Sequence, residues 1–120
     1  MAFDWREYLS LAHAVQGQSG SGFSREAGDR CAVSRAYYAA LCHVRNRARE
    51  RLGFSSAASA EDHIGLAMHL RRRGMPGVAR RLGWLRQWRN ACDYREDVPD
   101  LPAIAEKALA RAREVLDSFP

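Results

Sequence analysis

SREAGDRCAVSRAYYAALCHVRNRARERL, Ser24 to Leu52, is the stretch on which the fold turns. Val33, Tyr37, Ala40, Leu41, Val44 and Ala48 recur three or four residues apart, the spacing that gathers side chains on one face of an α-helix. No proline interrupts the run. Ser24 is suited to accept hydrogen bonds from the first free amides, and Gly53 ends the run, so one long helix approaching 29 residues is predicted.

Working outward, the period stays helical and no segment alternates as a strand. Toward the N-terminus, a first helix is expected from about Phe3 to Val15, with Phe3, Tyr8, Leu11, Ala12 and Val15 toward one side, ended by the glycines and serines of residues 17–22. Toward the C-terminus, Ser59 with Asp62 three residues on can start a third helix ending near Arg73. Gly74-Met75-Pro76-Gly77 is a firm break, and a fourth helix is expected from about Val78 to Arg95. Val98 to Pro102 breaks again, and Asp100 or Leu101 opens a fifth helix to about Ser118. Short connections imply antiparallel neighbours, so the expected fold is all-α: a single domain over residues 1–120, an up-and-down bundle of about five helices.

The bulk numbers narrow the function classes. The chain has 120 residues, 47% of them hydrophobic and 28% charged. No stretch approaches the roughly 18 to 20 apolar residues of a membrane span, and Met1 to Glu7 mixes acids with an arginine where a secretory signal would be basic and then apolar. Cys31, Cys42 and Cys92 are odd in number and fall within helical patterns, with no Cys-x-x-Cys pair; reduced, mostly buried thiols in a cytoplasmic protein are expected. The net charge is +5, and Lys107 is the only lysine. Arginine usage of this kind is what a GC-rich genome gives; it is also what phosphate recognition uses. Seven arginines fall between Arg71 and Arg89, with an eighth at Arg95 and no acid before Asp93, a concentration that favours an anionic partner. Arg71-Arg72-Arg73 has a simpler use, since cations suit the C-terminal pole of a helix.

Two segments depart from ordinary core patterning. On the fourth helix Val78, Leu82, Leu85 and Cys92 form one stripe, and Arg89 falls within it. Either its stem is buried and its head reaches water or Asp93 one turn on, or the bundle opens a cleft there that Arg89 lines. On the second helix Ser34 and Tyr38 stand four apart on the flank, with neighbouring hydroxyls. Trp84 and Trp88, one turn apart and off the main stripe, suit a second packing face or a subunit contact, with base stacking as the alternative.

Taken together, these segments resemble the HEPN family of helical, nucleotide- and RNA-associated prokaryotic domains. SRAYYAAL (Ser34 to Leu41) is similar to the Ser-x-x-Tyr-Tyr-Ala pattern of that family's long second helix. LRQWRNACDYRED (Leu85 to Asp97) resembles its fourth-helix segment, where an arginine is followed by a short spacer and Asp-Tyr or His. Asp62-His63-Ile64-Gly65-Leu66 resembles a His-led third-helix start. The ordered set spans about residues 4 to 118.

The resemblance implies a homodimer with a basic cleft near Arg89. It further implies binding of RNA or nucleotide, and a separately encoded minimal nucleotidyltransferase as partner in a two-gene toxin–antitoxin or defence module. It carries a site of Arg89, Asn90, Asp93 and Tyr94 with Tyr38, Ser34 and His63 nearby. In that site Arg89 holds a phosphate, Asn90 bonds it or orients Arg89, and Asp93 and Tyr94 fix the geometry. Tyr94 is also a candidate acceptor if the partner modifies the domain.

RNase members of the family carry an arginine, then four to six residues, then a histidine. Here Tyr94 stands at that place, and no histidine follows Arg89 at all. Metal-free RNA cleavage needs stabilisation of the phosphorane charge, which an arginine supplies, and proton transfers near neutrality, which suit histidine and not a tyrosine with a pKa near 10. Asp93 beside Arg89 would be held ionised and acidic. Of Arg89, Asp93 and Tyr94 none replaces the histidine, so ribonuclease activity is expected to be weak or absent unless His63 or His43 approaches from another helix.

No cofactor or metal is expected. The histidines at 13, 43, 63 and 69 form no His-x3-His pair, and His63 and His69 diverge by about 120° on a helix. The Gly17 to Gly22 segment lacks the lysine and preceding strand of a phosphate loop. Two further readings remain open: an active metal-independent ribonuclease toxin, and a purely structural partner-binding bundle with Arg89 and Asp93 as an internal salt bridge.

Overall fold

The computed structural model of the chain describes residues 2–57, 59 and 61–120. Five helices follow in order: α1 (Arg6–Val15), α2 (Arg25–Arg51), α3 (Asp62–Arg72), α4 (Pro76–Tyr94) and α5 (Leu101–Ser118). The fold is an all-α bundle, as the periodicity predicts. No helix among the described residues is long and apolar enough to cross a membrane.

Most helix ends follow from local chemistry. Ser24 caps α2, its hydroxyl accepting from the Ala27 amide at 3.1 Å. Three starts, those of α1, α4 and α3, differ from the sequence expectation. Helix α1 begins three residues later than Phe3, because Asp4 takes the Arg6 amide at 3.1 Å and grips the Arg6 guanidinium twice at 3.0 Å, fixing the chain in a turn first. Helix α4 begins at Pro76, two residues earlier than Val78: a proline at the first helical position gives up only an amide that would have no intrahelical partner. Asp62 does not close a capping box with Ser59. Its carboxylate turns back to accept from the Ala57 amide at 2.7 Å and from the Ser56 hydroxyl, while Ser59 accepts from Glu61.

Helix α2 is the axis of the molecule and touches all four others, whereas α3 lies mainly on α4. Its centrality explains its side chains. Ala32, Ala36, Ala39, Ala40 and Ala48 are completely buried, as are Ala12 of α1 and Ala105, Ala108 and Ala112 of α5, the two helices that α2 contacts most extensively. Small residues let helix backbones approach closely, and larger ones, Leu9, Val33, Val44, Leu66, Leu70, Leu85 and Val115, fill the space between. The approach is tightest at Gly28, where a Cβ would lie 2.5 Å from the Gln18 carbonyl oxygen. Beside it the buried Asp29 carboxylate accepts from the Gly17 amide at 2.7 Å and ties the end of α1 to α2.

Two side chains of α2, Arg30 and His43, fasten the C-terminal half. Arg30 donates to the carbonyls of Cys92, Arg95 and Glu96 at 3.0, 2.6 and 2.8 Å, satisfying the end of α4. His43, buried, shares a 2.5 Å hydrogen bond with the Phe119 carbonyl. Cys42 is buried, as is Cys92 on α4, but Cys31 is exposed; all three are free thiols. Trp88 packs on the protomer's own core, while Trp84 stays exposed.

Burial lowers the His43 pKa from its ordinary 6.5, against the opposing pull of the Phe119 carbonyl. The unfolded chain therefore takes up a proton near pH 6.5 that the folded chain refuses. Stability from this group is complete above pH 6.5 and is lost as pH falls through the folded value. Urea denaturation at a series of pH values should show stability declining below pH 6.5, with a shallower decline in His43→Gln; identical slopes would contradict the account.

Candidate functional site

Helix α4 presents Arg86, Arg89 and Asp93 along one flank, a spacing of three and four residues that keeps them in line. Helix α2 presents Tyr38, Cys42 and Arg45 opposite, and the first turn of α3 brings Asp62 and His63. These three helices enclose a groove of about 440 Å³ lined by Arg45, Arg86 and Arg89, with Tyr37, Tyr38 and Leu41 as its apolar wall and His63 at its edge. A second hollow of about 260 Å³ between α3 and α4 shares Tyr37, Leu41, His63 and Arg86 with it, so the two form one channel.

Arg89 does both things the sequence allows. Its side chain is only 14% exposed and pairs with Asp93 at 3.5 Å, and its guanidinium also lines the groove. The centre of the guanidinium lies 5.3 Å from the Tyr37 ring, 5.5 Å from Tyr38 and 5.8 Å from Tyr94, within the range of cation–π attraction. Burial works against its charge, and Tyr38, Tyr94, Tyr37 and Asp93 more than compensate, leaving its pKa above the ordinary arginine value.

Tyr38 holds two cations at once, because Arg35 stands 5.3 Å from the same ring. Ser34 joins this network: it is buried, donates to Asp93 at 3.3 Å and accepts from Arg35 at 3.4 Å. Asp93 thus serves Arg89 directly and Arg35 through Ser34, and Asp62 adds a second carboxylate to the groove lined by Arg45, Arg86 and Arg89. The Nε atoms of Arg86 and Arg89 are shut off from solvent with no hydrogen-bond acceptor among the described residues. A buried donor left in that state costs about 1–3 kcal/mol.

The other groups set limits on the chemistry. Burial pushes the Tyr37 phenol up to about 12, so it stays protonated at neutral pH. Burial also raises the Cys42 thiol, and Cys92 reaches about 11, so neither offers a thiolate nucleophile. Among the described residues no group of three His, Cys, Asp or Glu side chains is placed to hold a metal ion.

Of the residues singled out in the sequence, Arg89, Tyr38 and His63 line the groove, and Ser34 and Asp93 adjoin it through hydrogen bonds. Two do not share it. Asn90 lines a separate hollow with Trp88, Ala91 and Arg95, because one residue on from Arg89 is a rotation of about 100°. Tyr94 is 77% exposed, its ring beside the Arg89 head but outside the groove wall. His43 is committed to Phe119 and takes no part. Arg86, Arg45 and Arg35 were not picked out as site residues. Arg86 stands one turn before Arg89, and Arg45 seven residues after Tyr38, so a helical wheel drawn around the known members would have found both.

No family model, curated protein or solved structure matches the chain.

The Arg89–Asp93 pair has an asymmetric energetic signature. Removing a half-buried cation and refilling its volume with an apolar chain is often neutral or stabilising, whereas removing its counter-ion strands the charge. In equilibrium denaturation Arg89→Met should hold or gain stability, and Asp93→Ala should lose about 1 kcal/mol. A large loss in Arg89→Met would mean that the arginine serves mainly to hold the bundle together.

Proposed function

We propose that this protein is a HEPN-type domain that binds the phosphate groups of RNA or a nucleotide in the groove between α2, α3 and α4. The observation that carries the reading is the convergence of Arg45, Arg86 and Arg89 on one concave surface, with two of the guanidinium groups holding desolvated, unmatched Nε–H donors. Planar guanidinium forks suit phosphate oxygens, and a low-dielectric wall of tyrosines strengthens the contact. Further support comes from the order of the Ser34–Leu41, Asp62–Leu66 and Leu85–Asp97 segments, which matches that of HEPN domains.

In this reading the domain acts as a homodimer, a state that would cover part of the exposed Ile64, Met68 and Trp84 side chains beside the channel. Its partner is a separately encoded minimal nucleotidyltransferase in a cytoplasmic toxin–antitoxin or defence pair. The exposed Tyr94 hydroxyl next to Arg89 is then the acceptor for regulatory modification.

A second reading, an active metal-independent ribonuclease, is favoured by one observation: His63, from α3, lines the same groove as Arg89. It would supply the proton transfers that Tyr94 cannot, while Arg89 would stabilise the charged phosphorane.

The test is fluorescence anisotropy with labelled RNA and with AMP as competitor across a salt series. The parent should bind with an affinity that falls steeply with salt. Arg89→Ala should weaken binding at least about tenfold and flatten the salt slope by about one. Equal binding by Arg89→Ala, or no binding at low salt, would refute the reading. Incubation with structured and single-stranded RNA in EDTA decides the second: cleavage lost in both Arg89→Ala and His63→Ala establishes it, and cleavage unchanged in both marks a contaminating nuclease.

A further inference from the structure

The arginine groove does not end at Arg89. Arg45 lines it on the α2 side, and the same guanidinium lies 5.9 Å from the ring of Trp5. Trp5 belongs to a cluster of three rings formed by the segment that leads into α1 and by Tyr8 of its first turn. Phe3 and Trp5 meet edge-on at 4.9 Å, Trp5 and Tyr8 at 5.2 Å, and Phe3 and Tyr8 at 5.4 Å. A second guanidinium, Arg35, stands 4.8 Å from the Tyr8 ring and 5.3 Å from Tyr38, so it too connects the cluster to the groove wall.

The cluster is held ready. The two-pronged Asp4–Arg6 pair fixes the turn that carries it, and perpendicular packing braces each ring against the others. Of the three rings Phe3 is the one left largely open to solvent, 46% exposed. Phe3 and Trp5 line a hollow of about 240 Å³ together with Asn46, Arg47 and Glu50, whose carboxylate pairs with the Arg47 terminal nitrogen at 3.4 Å. The Asn46 carbonyl accepts from Arg45 at 3.3 Å, which fixes the amide, and the Nε of Arg47 is desolvated with no acceptor among the described residues. A planar aromatic wall, a fixed side-chain amide and an unmatched guanidinium donor form a set suited to a planar heterocycle with polar edges.

We propose that the Phe3–Trp5–Tyr8 cluster is a base-stacking platform for single-stranded RNA whose phosphates lie in the arginine groove. The inference rests on the groove reading above and adds the substrate class: an unpaired strand with at least one base splayed onto Phe3. A duplex keeps its bases stacked inside and cannot reach the platform. Arg45 is the hinge of the arrangement, facing phosphates on one side and the platform on the other.

Binding of a fluorescein-labelled oligoadenylate, with 2′-O-methyl groups so that it cannot be cleaved, tests this beside a duplex of the same length. Phe3→Ala and Phe3→Leu should weaken single-strand binding about tenfold, the range of one base stacked on an aromatic ring, and leave the salt slope unchanged. Phe3→Trp should bind at least as tightly as the parent. The duplex should respond to none of the three variants. Phe3 lies on the surface outside any helix, so the variants should keep the parent's far-ultraviolet circular dichroism. Single-strand binding lost in Arg89→Ala but unchanged in Phe3→Ala would overturn the platform and leave the groove standing. Equal losses on strand and duplex in Phe3→Ala would also overturn it. A parent that binds neither probe at low salt would remove platform and groove together.

Discussion

A positive charge held under tyrosine rings organises this protein's functional face. Arg89 falls in the apolar stripe of α4, where a leucine would pack without cost, and the surrounding structure accommodates it. Tyr37, Tyr38 and Tyr94 turn their rings toward the guanidinium, Asp93 sits one helical turn away, and Ser34 holds Asp93 from the neighbouring helix. None of these contacts uses the Arg89 Nε–H as a hydrogen-bond donor. The charge is tolerated but its donors are not all matched, a combination that costs stability.

The scaffold makes that placement possible through close helix packing. Alanines on α1, α2 and α5 and Gly28 on α2 draw three helices together on one side, so that the longer side chains of α3 and α4 are left to define the channel on the other. Arg30 then fixes the end of α4 through three carbonyls, which sets where Asp93 and Tyr94 emerge. The site's geometry is therefore decided at a distance from its chemistry, by small residues and one capping arginine.

The fold was legible in the sequence because its signals are local. Ser24, Gly53, Gly74 and the prolines mark helix ends, and the period marks helices. What misled was the reading of α2 as a one-sided helix: a helix that touches four neighbours buries residues around most of its girth, including Ala32, Ala36, Ala39 and His43, which a single stripe omits. The site was half legible. Arg89, Tyr38 and His63 converge, but Asn90 turned out to face another hollow, since adjacency in sequence is not adjacency on a helix. Arg45 and the Phe3–Trp5–Tyr8 cluster needed three dimensions, because their neighbours come from segments some forty residues apart.

The proposed phosphate site makes one physical demand: the groove guanidinium groups must meet the added anion. Nitrogen-15 spectra of the arginine Nε–H groups during titration with AMP read this directly. The Arg86 and Arg89 signals should shift together and saturate, while that of Arg111, a similarly desolvated Nε away from the groove, stays still. Shifts absent at Arg86 and Arg89, or equal at all three, would contradict the account.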